Sequence, residues 1–195
     1  MIRAMAVTVS NRASAGVYDD VSGPVLVTRL RELGCEVKGP VVIPDGERVE
    51  EVLREAVAQG YDTVITTGGT GLTPMDLTPE MTRRVLEREI PGIAEAIRLA
   101  GREKVPTAIL SRGLAGVAGH TLIVNLPGSR GGVKDGMDVL ATVLQHAIDQ
   151  IAGGDHRDLH GDEHSFPTRR SSDLWPTAPA SRWRRSPACP SPRSP

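Results

Sequence analysis

The chain has 195 residues, 39% of them hydrophobic and 24% charged, with a net charge of −1; this suits one soluble globular domain with or without a tail. No stretch approaches the roughly 18 consecutive apolar residues of a membrane helix, and the opening MIRAMAVTVSNR is not expected to be a secretory signal. Two cysteines, Cys35 and Cys189, exclude a disulfide framework or a four-cysteine zinc site, so a cytoplasmic protein is expected. The small net charge hides an asymmetry. From Ser165 onward six Arg face one Asp, whereas the first 164 residues carry a net of −6.

In chain order the body reads as alternating strands and helices. Ala4–Val9 is a buried-strand candidate, followed by a polar loop to Asp20. Ser22 caps a helix with Pro24 in its first turn and Gly34 as its stop. Val37–Ile43 is strand-like but broken at Gly39-Pro40, and Pro44-Asp45-Gly46 is a turn. Glu47–Gln59 is an amphipathic helix with Val49, Val52, Leu53, Ala56 and Val57 on one face. Asp62–Thr67 is a third strand, and Thr78 caps a helix with Pro79 and Glu80 in its first turn. A further helix runs from Pro91 to about Gly101, Thr107–Ser111 and Thr121–Leu126 read as two strands, and a last helix extends from Val133 to Ile151. Strand–helix alternation with short loops predicts an α/β domain over 1–154, a three-layer fold whose mainly parallel sheet carries helices on both faces.

After Gly154 the apolar periodicity stops. Asp155–His164 is polar, and its histidines read as part of a solvated segment rather than a metal site. Ser165–Pro195 is rich in Pro, Ser and Arg, so 155–195 is expected to be a disordered tail. Such a tail either attracts acidic surfaces or partner domains or is not native sequence. Phe166–Leu174 (FPTRRSSDL) resembles translated sequencing-adaptor sequence, which favours the second reading.

Four segments carry candidate chemistry. In TTGGTGLTPMDLTPE (Thr66–Glu80) a strand delivers a glycine loop to the carboxyl edge of the sheet, where open α/β sheets bind ligands. Gly68, Gly69 and Gly71 permit close approach of a phosphate to backbone N–H groups. The loop is neither GxGxxG nor a GxxxxGK[ST] loop. Asp76 follows it; a carboxylate facing a phosphate site needs a metal between them, and magnesium is the usual bridge. Asp45 lies at a second strand end, as a partner acid or as the cap of the Glu47 helix. Ser10-Asn11-Arg12 follows the first strand, either a solvated loop or groups suited to an anion. Asn125–Gly132 (NLPGSRGG) and Ser111-Arg112 add hydroxyls and cations.

SNRASAGVYDDVSGP, IPDGE, TTGGTGLTPMDLTPE, PTAILSR and TLIVNLPGS, in that order between Ser10 and Ser129, together resemble the molybdopterin adenylyltransferase family, the MogA/MoaB group related to the G domain of gephyrin. The resemblance implies a trimeric cytoplasmic enzyme of molybdenum cofactor biosynthesis, a nucleotidyltransferase that adenylylates molybdopterin with magnesium-bound ATP and releases pyrophosphate. The alternative it leaves is a pterin-binding member without that activity. It implies Asp45 and Asp76 as catalytic, metal-associated acids. It places Ser10, Gly68, Gly69, Thr70, Gly71, Ser111, Pro127, Gly128 and Ser129 around the substrates. Its partners are molybdopterin, ATP, two further copies of the chain and a molybdate-insertion enzyme that takes over the product, with neither membrane nor nucleic acid. One departure stands out: Met75 precedes Asp76 where the family often has Arg, and Arg12, Arg112 and Arg130 are the candidates to replace that cation.

Overall fold

A computed structural model describes residues 1–154; the expectations for the tail, including His156, His160 and His164, lie outside the described residues. Among the described residues seven helices, a 3₁₀ turn and six strands follow one another. They are β1 (Arg3–Val9), α1 (Asn11–Ser14), α2 (Gly23–Glu32), β2 (Glu36–Ile43), α3 (Glu47–Ala58), β3 (Thr63–Thr67), α4 (Thr78–Arg83) and β4 (Arg88–Glu89). Then come α5 (Pro91–Arg102), the 3₁₀ turn (Pro106–Leu110), β5 (Ala115–Ala118), β6 (Thr121–Leu126), α6 (Arg130–Ala141) and α7 (Leu144–Ile151). One sheet holds the strands in the order β2-β1-β3-β6-β5-β4. β1 pairs in parallel with β2 and β3, and β3 with β6, whereas β5 runs antiparallel to both its neighbours.

Strand alternation divides the core into two layers. Ala4, Ala6, Ile65, Leu122, Val124 and Leu126 face one layer, against Leu26 and Leu30 of α2, Ile97 of α5, Val133, Met137 and Leu140 of α6 and Ile148 of α7. Met5, Val7, Val9, Val64 and Ile123 face the other, against Val49, Val52, Leu53 and Ala56 of α3 and Met81 of α4. The central strands β1, β3 and β6 are buried nearly throughout, which is why they read as continuous apolar runs. Aliphatic packing suffices: Tyr61 is the one aromatic in the core among the described residues.

Several elements differ from the sequence reading. β2 is one strand, not two: it lies at the sheet edge, where the missing N–H of Pro40 costs no ladder bond, and a register shift opposite Met5–Val7 absorbs Gly39-Pro40. Thr107–Ser111 is not a strand. Pro106 starts a 3₁₀ turn closed by Ala108 N–H to Val105 O and Ser111 N–H to Ala108 O. The glycine-rich connection before β6 holds β5, where a Cβ on Gly116 would meet Arg88 O at 2.4 Å; only glycine lets β4 come this close. The last helix is two helices, parted where Val143 leaves helical geometry at φ −130. Caps also shift. Asp20 instead of Ser22 opens α2, its Oδ1 accepting Ser22 N–H (3.0 Å), Ser22 O–H (3.2 Å) and Gly23 N–H (2.9 Å). At the other end Cys35 N–H reaches Leu30 O and Gly34 N–H reaches Arg31 O, with Gly34 at φ +79, a Schellman stop. The parallel strands bring the loops after β1, β2, β3 and β6 to one edge, and the site is built there.

Candidate functional site at the carboxyl edge of the sheet

β3 ends in Thr67, whose hydroxyl donates to Pro127 O (2.8 Å), and Gly68 N–H donates to Leu126 O (3.1 Å). The glycine loop is therefore sewn to the turn after β6. Its glycines are there for space. Gly68 has φ +103 and a Cβ would sit 2.1 Å from Val9 O; Gly69 has φ +63 and a Cβ would sit 2.1 Å from both Asp45 Oδ2 and Thr78 Oγ1.

Asp45 is half-buried at the end of β2. Its N–H donates to Asn11 Oδ1 (2.9 Å), tying the loop after β1 to the loop after β2. Its carboxylate accepts Gly46 N–H (2.8 Å), Leu77 N–H (3.1 Å) and Thr78 O–H (3.1 Å). Asp45 thus does not cap α3, whose N-cap is Gly46, and Thr78 does not cap α4, because its hydroxyl is given to Asp45. Burial pushes the Asp45 carboxyl above the ordinary carboxylate value. The three hydrogen bonds pull it back, and the nearby charge of Asp76 adds to the rise. Asp76 is oriented locally by Thr73, whose N–H (2.9 Å) and hydroxyl (2.6 Å) both donate to Oδ2, a turn that fixes the carboxylate within its own loop.

Arg112 braces this loop from behind. Its N–H donates to Thr70 O (2.9 Å), Nε to Gly71 O (2.7 Å) and Nη2 to Asp76 O (2.5 Å), while Nη1 pairs with Glu80. One planar guanidinium closes the segment from Gly71 to Asp76 and anchors it to α4. The sequence offered Arg112 as a cation for substrate phosphates; each of its three guanidinium nitrogens already donates to a protein oxygen. Ser111 beside it donates to Thr70 Oγ1 (3.3 Å).

Two clefts meet at this loop. The larger, about 760 Å³, runs between the loop, the 3₁₀ turn and α6. Thr70, Gly71, Ser111, Pro127 and Ser129 line it on one side, and Ile97, Val105, Ala108 and Leu110 form an apolar wall. The smaller, about 510 Å³, lies over the ends of β1 and β2 and is lined by Ser10, Arg12, Tyr18, Asp20, Asp45 and Met75. Gly68, Gly69, Asp76 and Gly128 line both. Both acids and every residue expected around the substrates lie on one cleft or both, but not all keep a free group. Ser129 Oγ accepts Gly132 N–H (3.0 Å) to cap α6, and Ser10 Oγ accepts Ala13 N–H (3.2 Å) and lies 2.8 Å from the Tyr18 hydroxyl. Of the candidate replacement cations, Arg130 lines neither cleft. The sequence reading missed Thr73, Thr78 as a donor, and the apolar wall. A hydroxyl three residues before Asp76 was the available signal for Thr73; the wall is assembled from separate stretches of chain and has none.

Asp76 is near enough to Asp45 for its charge to add to the rise of the Asp45 carboxyl, and no third His, Cys, Asp or Glu joins the two in a metal-sized cluster among the described residues. That donor set fits a hard divalent cation completed by substrate oxygens and water, as magnesium requires, and does not fit a closed structural metal site. No helix among the described residues is long and apolar enough to cross a membrane.

The description "probable molybdopterin binding domain" matches residues 5–146. Molybdopterin adenylyltransferase from Haemophilus influenzae is 42% identical over 139 residues, 68% of this chain and 69% of that protein. The Mog protein from Mycobacterium ulcerans superposes with a TM-score of 0.75 at 53% identity, covering 77% of this chain and 99% of that one. MoaB from Thermus thermophilus gives 0.74 at 42% identity, covering 78% and 98%. Some relatives are longer: the chain spans 24% of the Drosophila melanogaster molybdenum cofactor synthesis protein cinnamon and 50% of the Chlorobaculum tepidum molybdenum cofactor biosynthesis bifunctional protein. With its sheet order, glycine loop and paired acids, the chain belongs to the MogA/MoaB family of molybdopterin-binding domains and to molybdenum cofactor biosynthesis.

Proposed function

We propose that the chain is a molybdopterin adenylyltransferase: it transfers AMP from ATP to the terminal phosphate of molybdopterin and releases pyrophosphate. The observation that carries this reading is the meeting of two clefts at one glycine loop with the acid pair at the junction; a reaction that joins two substrates needs such a place. The larger cleft, with its apolar wall, suits a flat pterin. The smaller, with Asp45 and Asp76, suits a triphosphate. Names of relatives such as the Haemophilus influenzae protein support the same chemistry.

In the reaction a phosphate oxygen of molybdopterin attacks the α-phosphorus of ATP, the bond from that phosphorus to the bridging oxygen breaks, and pyrophosphate leaves with the electron pair. Little covalent chemistry is asked of the protein, and positioning carries most of the barrier reduction. Gly68 and Gly69 let the loop backbone pass close to Val9 and Asp45, and both line the two clefts the substrates would enter. Thr73 and Arg112 hold Asp76, and Thr78 and Leu77 hold Asp45, so the two carboxylates are preset. Asp45 and Asp76 would hold magnesium, which when bound would supply charge neutralisation at the phosphates.

A homotrimer belongs to this proposal: Leu99, Val105, Ile109 and Leu110 expose apolar surface on α5 and the 3₁₀ turn, beside the larger cleft. A cytoplasmic location and hand-over of the product to a molybdate-insertion enzyme also belong to it, and the relatives named bifunctional support such a neighbour. The test is pyrophosphate release from ATP by the purified chain, with and without molybdopterin. Release that depends on molybdopterin is expected. Pterin binding with no release would instead make the chain a pterin-binding member.

A further inference from the structure

The smaller cleft has a charge problem. Asp20, Asp45 and Asp76 line it, and Arg12 is the one Lys or Arg that does so among the described residues. Asp20 is largely satisfied by Thr8 O–H (2.7 Å) and the donors at the start of α2. Asp45 and Asp76 face the space a substrate would enter, and an anion arriving there meets like charge. Met75, on the same cleft and 65% exposed, contributes none of the opposite sign.

Arg12 differs from Arg112, Arg98 and Lys104, the arginines and the paired lysine around the two clefts. Arg112 is committed to Gly71, Asp76 and Glu80. Arg98 donates to Ser111 O and Gly113 O, and Lys104 pairs with Asp135. Arg12 makes no ion pair among the described residues. Its guanidinium instead lies over the Tyr18 ring, 4.9 Å from the centroid, and the Tyr18 hydroxyl lies 2.8 Å from Ser10 Oγ, the cap of α1. Stacking on a ring face holds the plane of a guanidinium and leaves its edge N–H donors free. The residue is thus placed, oriented and unspent, in α1 just after β1, on the cleft that Gly68 and Gly69 also line.

We infer that Arg12 is the polyphosphate-binding cation of the smaller cleft, held ready by Tyr18, and that it fixes the β- and γ-phosphates of the nucleotide. This rests on the adenylyltransferase reading for the identity of the nucleotide, but the anion site itself does not. A guanidinium binds phosphate bidentately, so it suits the group that must be held and then released as pyrophosphate.

The experiment uses the full chain and two readouts. The first is calorimetric binding of inorganic tripolyphosphate; the second is the steady-state KM for magnesium-bound ATP with saturating molybdopterin. Arg12→Gln is expected to weaken tripolyphosphate and to raise that KM by about ten-fold or more, with kcat changed far less. Arg12→Lys is expected to recover part of the loss and Tyr18→Leu to lose several-fold, the melting profile by circular dichroism staying that of the parent. Tripolyphosphate bound equally by parent and Arg12→Gln, or not bound by the parent, overturns the inference whatever the activity. Arg12-dependent tripolyphosphate binding without any adenylylation upholds the anion site and overturns the adenylyltransferase reading instead.

Discussion

Replacing Gly69 with alanine tests whether the acid pair depends on the glycine loop being bare. Two costs add. At φ +63 a non-glycine residue costs about 1–2 kcal/mol. The added Cβ would also lie 2.1 Å from Asp45 Oδ2 and from Thr78 Oγ1, so the carboxylate must move and the bonds from Leu77 N–H and Thr78 O–H weaken, about 1–2 kcal/mol more for partly exposed groups. The sum, about 2–4 kcal/mol, corresponds to a fall in Tm of roughly 5–15 °C for a domain of this size. Gly34→Ala is the control: φ is +79 but nothing lies within 4 Å of the new Cβ, so only the backbone cost of about 1–2 kcal/mol applies. Thermal unfolding followed by circular dichroism reads both variants, since both tryptophans lie in the tail and fluorescence would not report on the sheet. Gly69→Ala must be the less stable of the two and must lose adenylylation, whereas Gly34→Ala keeps it. Equal Tm values and full activity in Gly69→Ala would refute the reasoning.

Three further outcomes follow from the same geometry. Asp76→Asn keeps the fold, because Thr73 can still donate to the side-chain oxygen, but loses at least about 100-fold in kcat by removing a charge beside the phosphates; parental kcat would show that the acid has no part in turnover. Arg112→Lys keeps a positive charge for Glu80 but cannot hold Gly71 O and Asp76 O together, so kcat falls by about ten-fold with little change in KM, and unchanged kcat would remove Arg112 as a brace. Because burial raises the Asp45 carboxyl, the folded state holds that proton more tightly than the unfolded one. In the metal-free protein the stability of the parent relative to Asp45→Asn therefore falls as pH rises from the ordinary aspartate value through the raised one. A flat or rising difference in urea unfolding across that window would contradict the environment assigned to Asp45.

Much of the architecture was legible because its cause is local. β1 and β3 are buried on both faces and so are apolar along their length, and α3 carries its apolar residues on one face with glycine just past its end. What was not legible depends on partners remote in sequence. PTAIL has the composition of a strand, but Pro106 starts a 3₁₀ turn there, and the segment becomes a wall of the larger cleft. The last helix has an unbroken apolar pattern through Thr142-Val143, so nothing in the periodicity marks the break. At the site, the positions of Asp45 and Asp76 were legible from the strand–turn–helix pattern. Their supports were not: Thr78 carries every sign of a helix cap, and only the fold shows that Asp45 competes for its hydroxyl and wins. Arg112 looked like a substrate cation for the same reason, because sequence gives a charge but not the carbonyls around it.

The most direct test of the account follows the phosphorus. ATP labelled at the α-phosphate, incubated with the purified chain, magnesium and molybdopterin, must pass its label to the pterin, with one pyrophosphate formed for each labelled product. Molybdopterin that is bound and recovered unlabelled, with the label still in ATP, would contradict it.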